Sequence, residues 1–322
     1  YDSTANGTDI LGSLTIASGG TYSATSGVTE INNNGNGAYA VNNDGTLTAN
    51  AGTINITTAV GTTFVDFATG SGNPYNLIID TGSGTNIVKW VFDSNIIDND
   101  LTINSGEFQP NGYTYDIVVT GDTIINSGGT LGLVSWSDTA SFGSLTINSG
   151  GTYEATTGTT TITNYFSNAG TLAHNSGTIT FNNDTLAQIT GNTTFYNLNT
   201  NAAVFNASDD NITIDTSGTL TQNGNITAWV LNIAGTMATG AGEKVTFDDS
   251  ANAGFEGTGT LTIAGSDGNL ANITNAGTTE WTMPHPTLNS SWDYVAVSYG
   301  NNTGTSAIIV YDGTDEGNNV PT

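Results

Sequence analysis

An all-β chain wound as a parallel solenoid is the fold class this sequence predicts, and three observations predict it. The first is an internal duplication: Gly12 to Asn32 reads GSLTIASGGTYSATSGVTEIN and Gly143 to Thr163 reads GSLTINSGGTYEATTGTTTIT, identical at 15 of 21 positions across an offset of 131 residues. The second is a shorter beat, a Gly-Thr pair at Gly20, Gly45, Gly52, Gly129, Gly151, Gly170, Gly177, Gly218, Gly235 and Gly277, with common spacings of 17 to 25 residues. That is the length of one coil made of two or three short strands, each coil stacked on the next at about 4.8 Å. The third is a period-two alternation of apolar residues with Thr and Asn. Repetition of one architectural unit points to a scaffold rather than to a pocket shaped for one substrate.

Taken along the chain, the expected strands are Leu14-Thr15-Ile16, Thr53-Ile54-Asn55-Ile56, Leu101-Thr102-Ile103, Thr178-Ile179-Thr180-Phe181, Ile212-Thr213-Ile214 and Leu261-Thr262-Ile263, each bounded by Gly, Asn, Asp or Ser. After a six-residue insertion in the first copy the duplication continues, Asp44 to Ile56 matching Ala169 to Phe181 and Tyr75-Asn76-Leu77 matching Tyr196-Asn197-Leu198. Leu, Ile, Val and Phe supply only 69 of 322 residues, close to the border of disorder. A narrow core needs few apolar side chains per coil, and outward Thr and Asn can form ladders along the stack. The 42 glycines serve the corners, and no window reads as a helix. The expected organisation is a first unit over 1–135, a second over 136–277 continuous with it, and a β cap or intersubunit joint over 278–322. That last stretch holds Trp281, Trp292, Pro284-His285-Pro286 and a strand pair at Tyr294 to Ser298 and Ala307 to Tyr311. Tandem antiparallel β-sandwiches are the structural alternative, since short alternating strands with Gly-rich turns fit both.

Composition narrows the function. Cysteine and arginine are absent, lysine occurs only at Lys89 and Lys244, and 28 acidic residues bring the net charge to -26. Such a surface repels phosphate backbones and anionic lipid headgroups, so nucleic acid and membrane insertion are not expected partners. No hydrophobic run is long enough to cross a bilayer. With Tyr1 first and no secretory segment, the sequence reads as a mature or partial chain whose targeting peptide has been removed.

Runs such as LTINSGGTYEATTGTTTI, and the closing Tyr311-Asp312-Gly313-Thr314-Asp315-Glu316-Gly317-Asn318-Asn319, resemble the repeat units of large extracellular β-strand-repeat surface proteins of bacteria and archaea, adhesin-like or autotransporter-passenger-like. The resemblance spans nearly the whole chain in compositionally simple motifs. It implies a cell-surface location and a β-solenoid architecture, and it carries over no catalytic residue.

The candidate sites follow from residue type. Asp93, Asp98 and Asp100, together with Asp312, Asp315 and Glu316, supply oxygens of the kind calcium takes, as do Asp209, Asp210, Asp215 and the pair Asp248 and Asp249. None matches the EF-hand spacing or the nonapeptide of calcium-binding β-rolls, so structural calcium is the one cofactor to look for and solvated turns are the plain reading. Trp90, Phe92, Trp136, Phe142, Tyr165 and Phe166 are candidates for a sugar-stacking platform, with core packing as the plain reading. Trp281, Trp292, Tyr294, Tyr299 and Tyr311 are the candidate interface. Ten glycosylation sequons occur, at Asn6, Asn55, Asn183, Asn192, Asn206, Asn211, Asn225, Asn272, Asn289 and Asn301, a number chance alone produces in so Asn- and Thr-rich a chain. His174 and His285 are far apart and lack a Ser or Cys partner motif.

The expected function is therefore non-enzymatic: a homopolymeric subunit of a cell-surface filament, sheath or layer. A glycan-binding adhesin or fibre segment is the second expectation, and a polysaccharide-processing β-helix the third.

Overall fold

The computed structural model describes residues 7–315 except 34, 58–60, 68, 92–94, 112–115, 134–138, 184–185, 202–203, 223–224, 240–241, 248, 250–252, 279, 284–288, 299, 303–309 and 312–313. Two compact units are formed, one from Tyr1–Thr160 with Ala169–Asn175, the other from Thr161–Asn168 with Ser176–Thr322. Each is a parallel β-solenoid. Every ladder between the described strands is parallel, which removes the antiparallel-sandwich alternative, and no helix occurs among the described residues.

The first unit is organised by columns, because in-register parallel pairing sets each side chain directly on one a coil away. On one wall Leu11 stands opposite Ile31, then Ile56, Ile79, Ile103, Ile125 and Ile147 follow in turn. These six isoleucines are fully buried. Isoleucine suits the place because its branched Cβ fits a pleated surface, and each full burial is worth about 1.5–3 kcal/mol. Two residues earlier runs a parallel column of Thr29, Ile54, Leu77, Leu101, Thr123 and Leu145, also inside. On the next wall Thr63, Val88, Phe108, Leu131, Tyr153 and Leu172 form a third column.

The duplicated segments keep their inward and outward alternation but change wall. Leu14–Ile16 pairs with Val41 to Asn43 on the second wall, whereas its counterpart Leu145 to Ile147 pairs with Thr123 to Ile125 on the first. Likewise Thr21–Ser23 pairs with Thr46–Thr48, while Thr152–Glu154 joins the second wall. The copied element is thus a strand with its corner, and the walls accept it interchangeably. One turn survives intact: Asn50-Ala51 and Asn175-Ser176 both adopt left-handed backbone, and the two asparagines donate to Ala24 O and Ala155 O at 2.8 and 2.9 Å.

The Gly-Thr beat marks a corner where backbones of successive coils meet. A Cβ on Gly45 would sit 2.4 Å from Gly20 O, one on Gly170 2.5 Å from Gly151 O, and one on Gly235 2.2 Å from Gly218 O. Each glycine carbonyl instead accepts the amide of the threonine a coil later, Thr46 N to Gly20 O at 2.9 Å and Thr171 N to Gly151 O at 3.0 Å. Beside the second of these corners Asn126 Nδ2 donates to Asn104 Oδ1 at 2.8 Å, and Asn148 Nδ2 to Asn126 Oδ1 at 2.7 Å. An asparagine ladder of this kind satisfies amides that the tight turn would otherwise leave open.

The second unit uses larger side chains for the same purpose. Ile179, Leu198, Leu220, Met237 and Leu261 form one column, and Ala187, Phe205, Ile226, Val245 and Ile273 another. Phe181 meets Phe166, Phe195 and Phe205 at centroid distances of 6.0, 6.5 and 5.1 Å. Further along, Trp281 packs on Phe247, Phe255 and Trp292 at 5.6, 6.0 and 6.2 Å.

Two substitutions test this account by urea or thermal unfolding. Gly151→Ala places a Cβ within 2.6–3.1 Å of three backbone oxygens, those of Ile125, Asn126 and Asn148, and is expected to cost about 1–3 kcal/mol. The control is Gly12→Ala, whose Cβ meets nothing within 4 Å and should be near neutral. Thr123→Val removes a buried hydroxyl that has no hydrogen-bond partner and sits between Leu101 and Leu145. It is expected to stabilise by about 1 kcal/mol; a loss would show that the hydroxyl is satisfied in solution.

Candidate functional site

The outer face of the second wall carries the most chemically varied strip in the first unit. Val88, Phe108, Leu131 and Tyr153 point inward and are fully buried, so alternation sends their neighbours Lys89, Gln109 and Glu154 outward, with Gly132 between the last two. Register continues the strip in the other direction: Tyr39 stands opposite Phe64, Phe64 opposite Lys89, and Lys89 opposite Gln109. Gly132 follows Leu131, the partner of Phe108, and faces Glu154 in the next coil. Six positions at about 4.8 Å make a strip roughly 24 Å long.

At one end lie two aromatic rings. Tyr39 is 40 % exposed, and its ring centroid is 5.7 Å from that of half-buried Phe64 at a tilt of 44°. At the other end lie two carboxylates. Glu107 projects from the same strand as Gln109, whose Nε2 donates to Glu107 Oε1. A Cβ on buried Gly132 would fall 2.7 Å from Glu107 Oε1 and 3.5 Å from Glu154 Oε2, so the Glu107 carboxylate leans into the space that glycine leaves and Glu154 borders it. Partial burial, and second the charge of Glu107, hold the Glu154 carboxyl above its ordinary range. The strip therefore offers ring faces, an amide, two acceptor-rich carboxylates and one ammonium along the stacking direction, with a register irregularity between Tyr39 and Val41 at its aromatic end.

The residues singled out from sequence are placed as follows. Asp98 Oδ1 accepts from Asn73 Nδ2 at 2.9 Å and Asp100 Oδ1 from Asp122 N at 2.8 Å, so both tie one coil to the next. Asp215 Oδ1 accepts from Thr216 N at 2.6 Å, and Asp249 Oδ1 from Thr278 N at 3.1 Å. Asp210 lies in the strand Val204–Gln222, as does the backbone of Asp209. Asp93, Asp248, Asp312 and Glu316 lie outside the described residues, and of Asp315 only the strand backbone is described. Among the described residues no group of three or more His, Asp or Glu side chains is placed to hold a metal.

Trp90, Phe142 and Phe166 belong to the core, not to a platform, and Trp90 packs against Phe67 at 4.9 Å. Tyr165 is half-buried with its hydroxyl 2.7 Å from Thr190 Oγ1, while Phe92 and Trp136 lie outside the described residues. Trp281 and Trp292, expected at an interface, are 1 % and 2 % exposed. Their rings stack at 16°, and Trp281 Nε1 donates to Ser298 O at 2.8 Å. Their area is spent inside the coil, so removing residues from 289 onward would uncover core rather than a joint. Tyr294 is half-buried; Tyr299 lies outside the described residues, and Tyr311 is described in backbone only. Of the sequon asparagines, Asn192 and Asn225 are exposed and Asn55, Asn183, Asn206, Asn211 and Asn272 half-buried. Asn6 lies outside the described residues, and for Asn289 and Asn301 the backbone alone is described. His174 is half-buried, and His285 lies outside the described residues.

Sequence reasoning missed Tyr39, Phe64, Glu107, Gln109 and Glu154. Their spacings of 25, 25, 20, 23 and 22 residues from Tyr39 through Lys89 to Glu154 each equal one coil, but coil length varies too much for that to be seen without the register. No protein-family model, curated protein or solved structure matches the chain.

Because Glu154 binds its proton more tightly folded than unfolded, its contribution opposes folding once the group is ionised. Its share of stability is present below the ordinary carboxylate range and is lost as pH rises through the raised folded value. Glu154→Gln is therefore expected to stabilise the fold at neutral pH by about a few tenths of a kcal/mol after solvent screening, read as a small rise in melting temperature. The gain should vanish at acid pH; an unchanged difference at all pH values would contradict the raised carboxyl, whose first cause is burial and whose second is the charge of Glu107.

Proposed function

We propose that this chain is a non-enzymatic structural protein of the cell surface, a subunit of a filament, sheath or layer. The observation that carries the proposal is the recurrence of one side chain at one place, coil after coil: the isoleucine column, the ladder from Asn104 to Asn148 and the corner glycines. Residues placed in this way serve stacking itself. The end of a parallel stack presents backbone N–H and C=O groups in the register of the coil beneath, which a second copy can extend head to tail. The near absence of Lys and Arg removes trypsin-like cleavage sites and suits an extracellular object.

A charge of -26 opposes such assembly unless apolar contacts are buried or carboxylates are bridged by cations. Electron microscopy of the purified native protein across salt and calcium concentrations tests the reading. Polymers are expected, favoured by salt or calcium. Monodisperse monomers under every condition would overturn it.

A further inference from the structure

We propose that the outer strip running from Tyr39 through Phe64, Lys89, Gln109 and Gly132 to Glu154 and Glu107 binds a linear, uncharged polysaccharide. This inference is independent of self-assembly, since it concerns the lateral face of the stack and not its ends. Four features of the strip select the ligand. Tyr39 is the one aromatic among the large hydrophobic side chains that are exposed in the described residues, and it lies tilted against Phe64 on the neighbouring coil. Two rings packed against each other present apolar area with little rotamer freedom to lose, and the C–H face of a pyranose ring can stack on the exposed Tyr39 ring.

The polar part asks for hydrogen-bond donors without charge. Glu107 and Glu154 offer acceptor oxygens beside Gly132, with Glu107 Oε1 leaning into the space the glycine leaves, and the Gln109 amide is already anchored to Glu107. Carboxylate pairs accept readily from vicinal hydroxyls. An acidic polymer would meet both carboxylates and a net charge of -26, against a single lysine in this strip. Nucleic acid is excluded by the same charge, although it too stacks on rings.

Geometry supplies the last argument. The chemistry lies along the stacking direction, one residue per coil, at a spacing of about 4.8 Å fixed by backbone hydrogen bonds. A row of roughly 24 Å along the stack matches several consecutive sugar rings of an extended chain.

The test is affinity electrophoresis of the full chain through gels containing hydroxyethyl cellulose, xyloglucan or galactomannan, with alginate as the acidic comparison. At least one neutral polymer is expected to retard the protein while alginate does not. Tyr39→Ala is expected to weaken retardation at least tenfold with an unchanged melting curve. Should that substitution disturb the fold, Gln109→Ala and Glu107→Gln provide the same readout from the polar end. Retardation by none of the neutral polymers, stronger retardation by alginate, or retardation unaltered in all three variants would each overturn the proposal.

Discussion

The distance between coils is the constraint from which the rest of this structure follows. Parallel strands hydrogen-bond at about 4.8 Å, so every residue has a neighbour one coil above and one below at that separation. Inside, the spacing sets like on like: isoleucine follows isoleucine from Ile31 to Ile147, each fully buried. At corners it leaves no room for a Cβ, and Gly45, Gly151, Gly170 and Gly235 answer it. Between corner and wall it brings side-chain amides within hydrogen-bond reach, as in the ladder through Asn126.

The same constraint explains what could be read in advance. Period-two alternation and a recurring corner signal survive in one dimension, so the parallel β-solenoid and strands such as Leu101 to Ile103 were legible from the residues alone. The register was not. Coils in the first unit differ in length, 25 residues between Val28 and Thr53 but 22 between Leu101 and Thr123, and the duplication moves a segment from one wall to another. Residues sharing a face therefore cannot be aligned by counting. Trp90, Trp281 and Trp292 looked like surface chemistry because tryptophan is conspicuous in so polar a chain, yet a narrow core needs a few large fillers and took them. Acidic clusters offered oxygens of the kind calcium takes, and the register shows what sequence could not, that Asp98 Oδ1 and Asp100 Oδ1 each accept a cross-coil hydrogen bond.

Charge is distributed by the alternation as well. Most apolar residues are committed to columns, and the outward positions fall largely to Thr, Asn and acids, with a minority of aliphatics such as Ile10, Ile78 and Leu186 left outside. Repulsion is then unavoidable somewhere, and Glu107 with Glu154 is one such place. Glycine between them lets both side chains lean over the same spot, while the Gln109 amide offsets part of the charge on one. Threonine or asparagine would satisfy the wall equally well there, as the neighbouring column of Thr130 and Thr152 shows. Two carboxylates converging on Gly132 are costly for the fold, and the raised Glu154 carboxyl is the sign of that cost.

The aromatic side chains are divided between core and surface. A chain this poor in large hydrophobic groups gains about 1.5–3 kcal/mol by burying each one, and Phe108, Phe142, Tyr153, Phe181 and Phe255 are all buried completely. Leaving Tyr39 two-fifths exposed, with Phe64 beside it on the outer face, forgoes that gain at two adjacent coils on the wall that also bears Glu107 and Glu154. Exposure of single apolar side chains needs no explanation in ordinary proteins. Here the interior draws on a scarce supply, so aromatic area kept outside it, on the wall that also bears convergent polar groups, is the feature on which the proposed polysaccharide face rests.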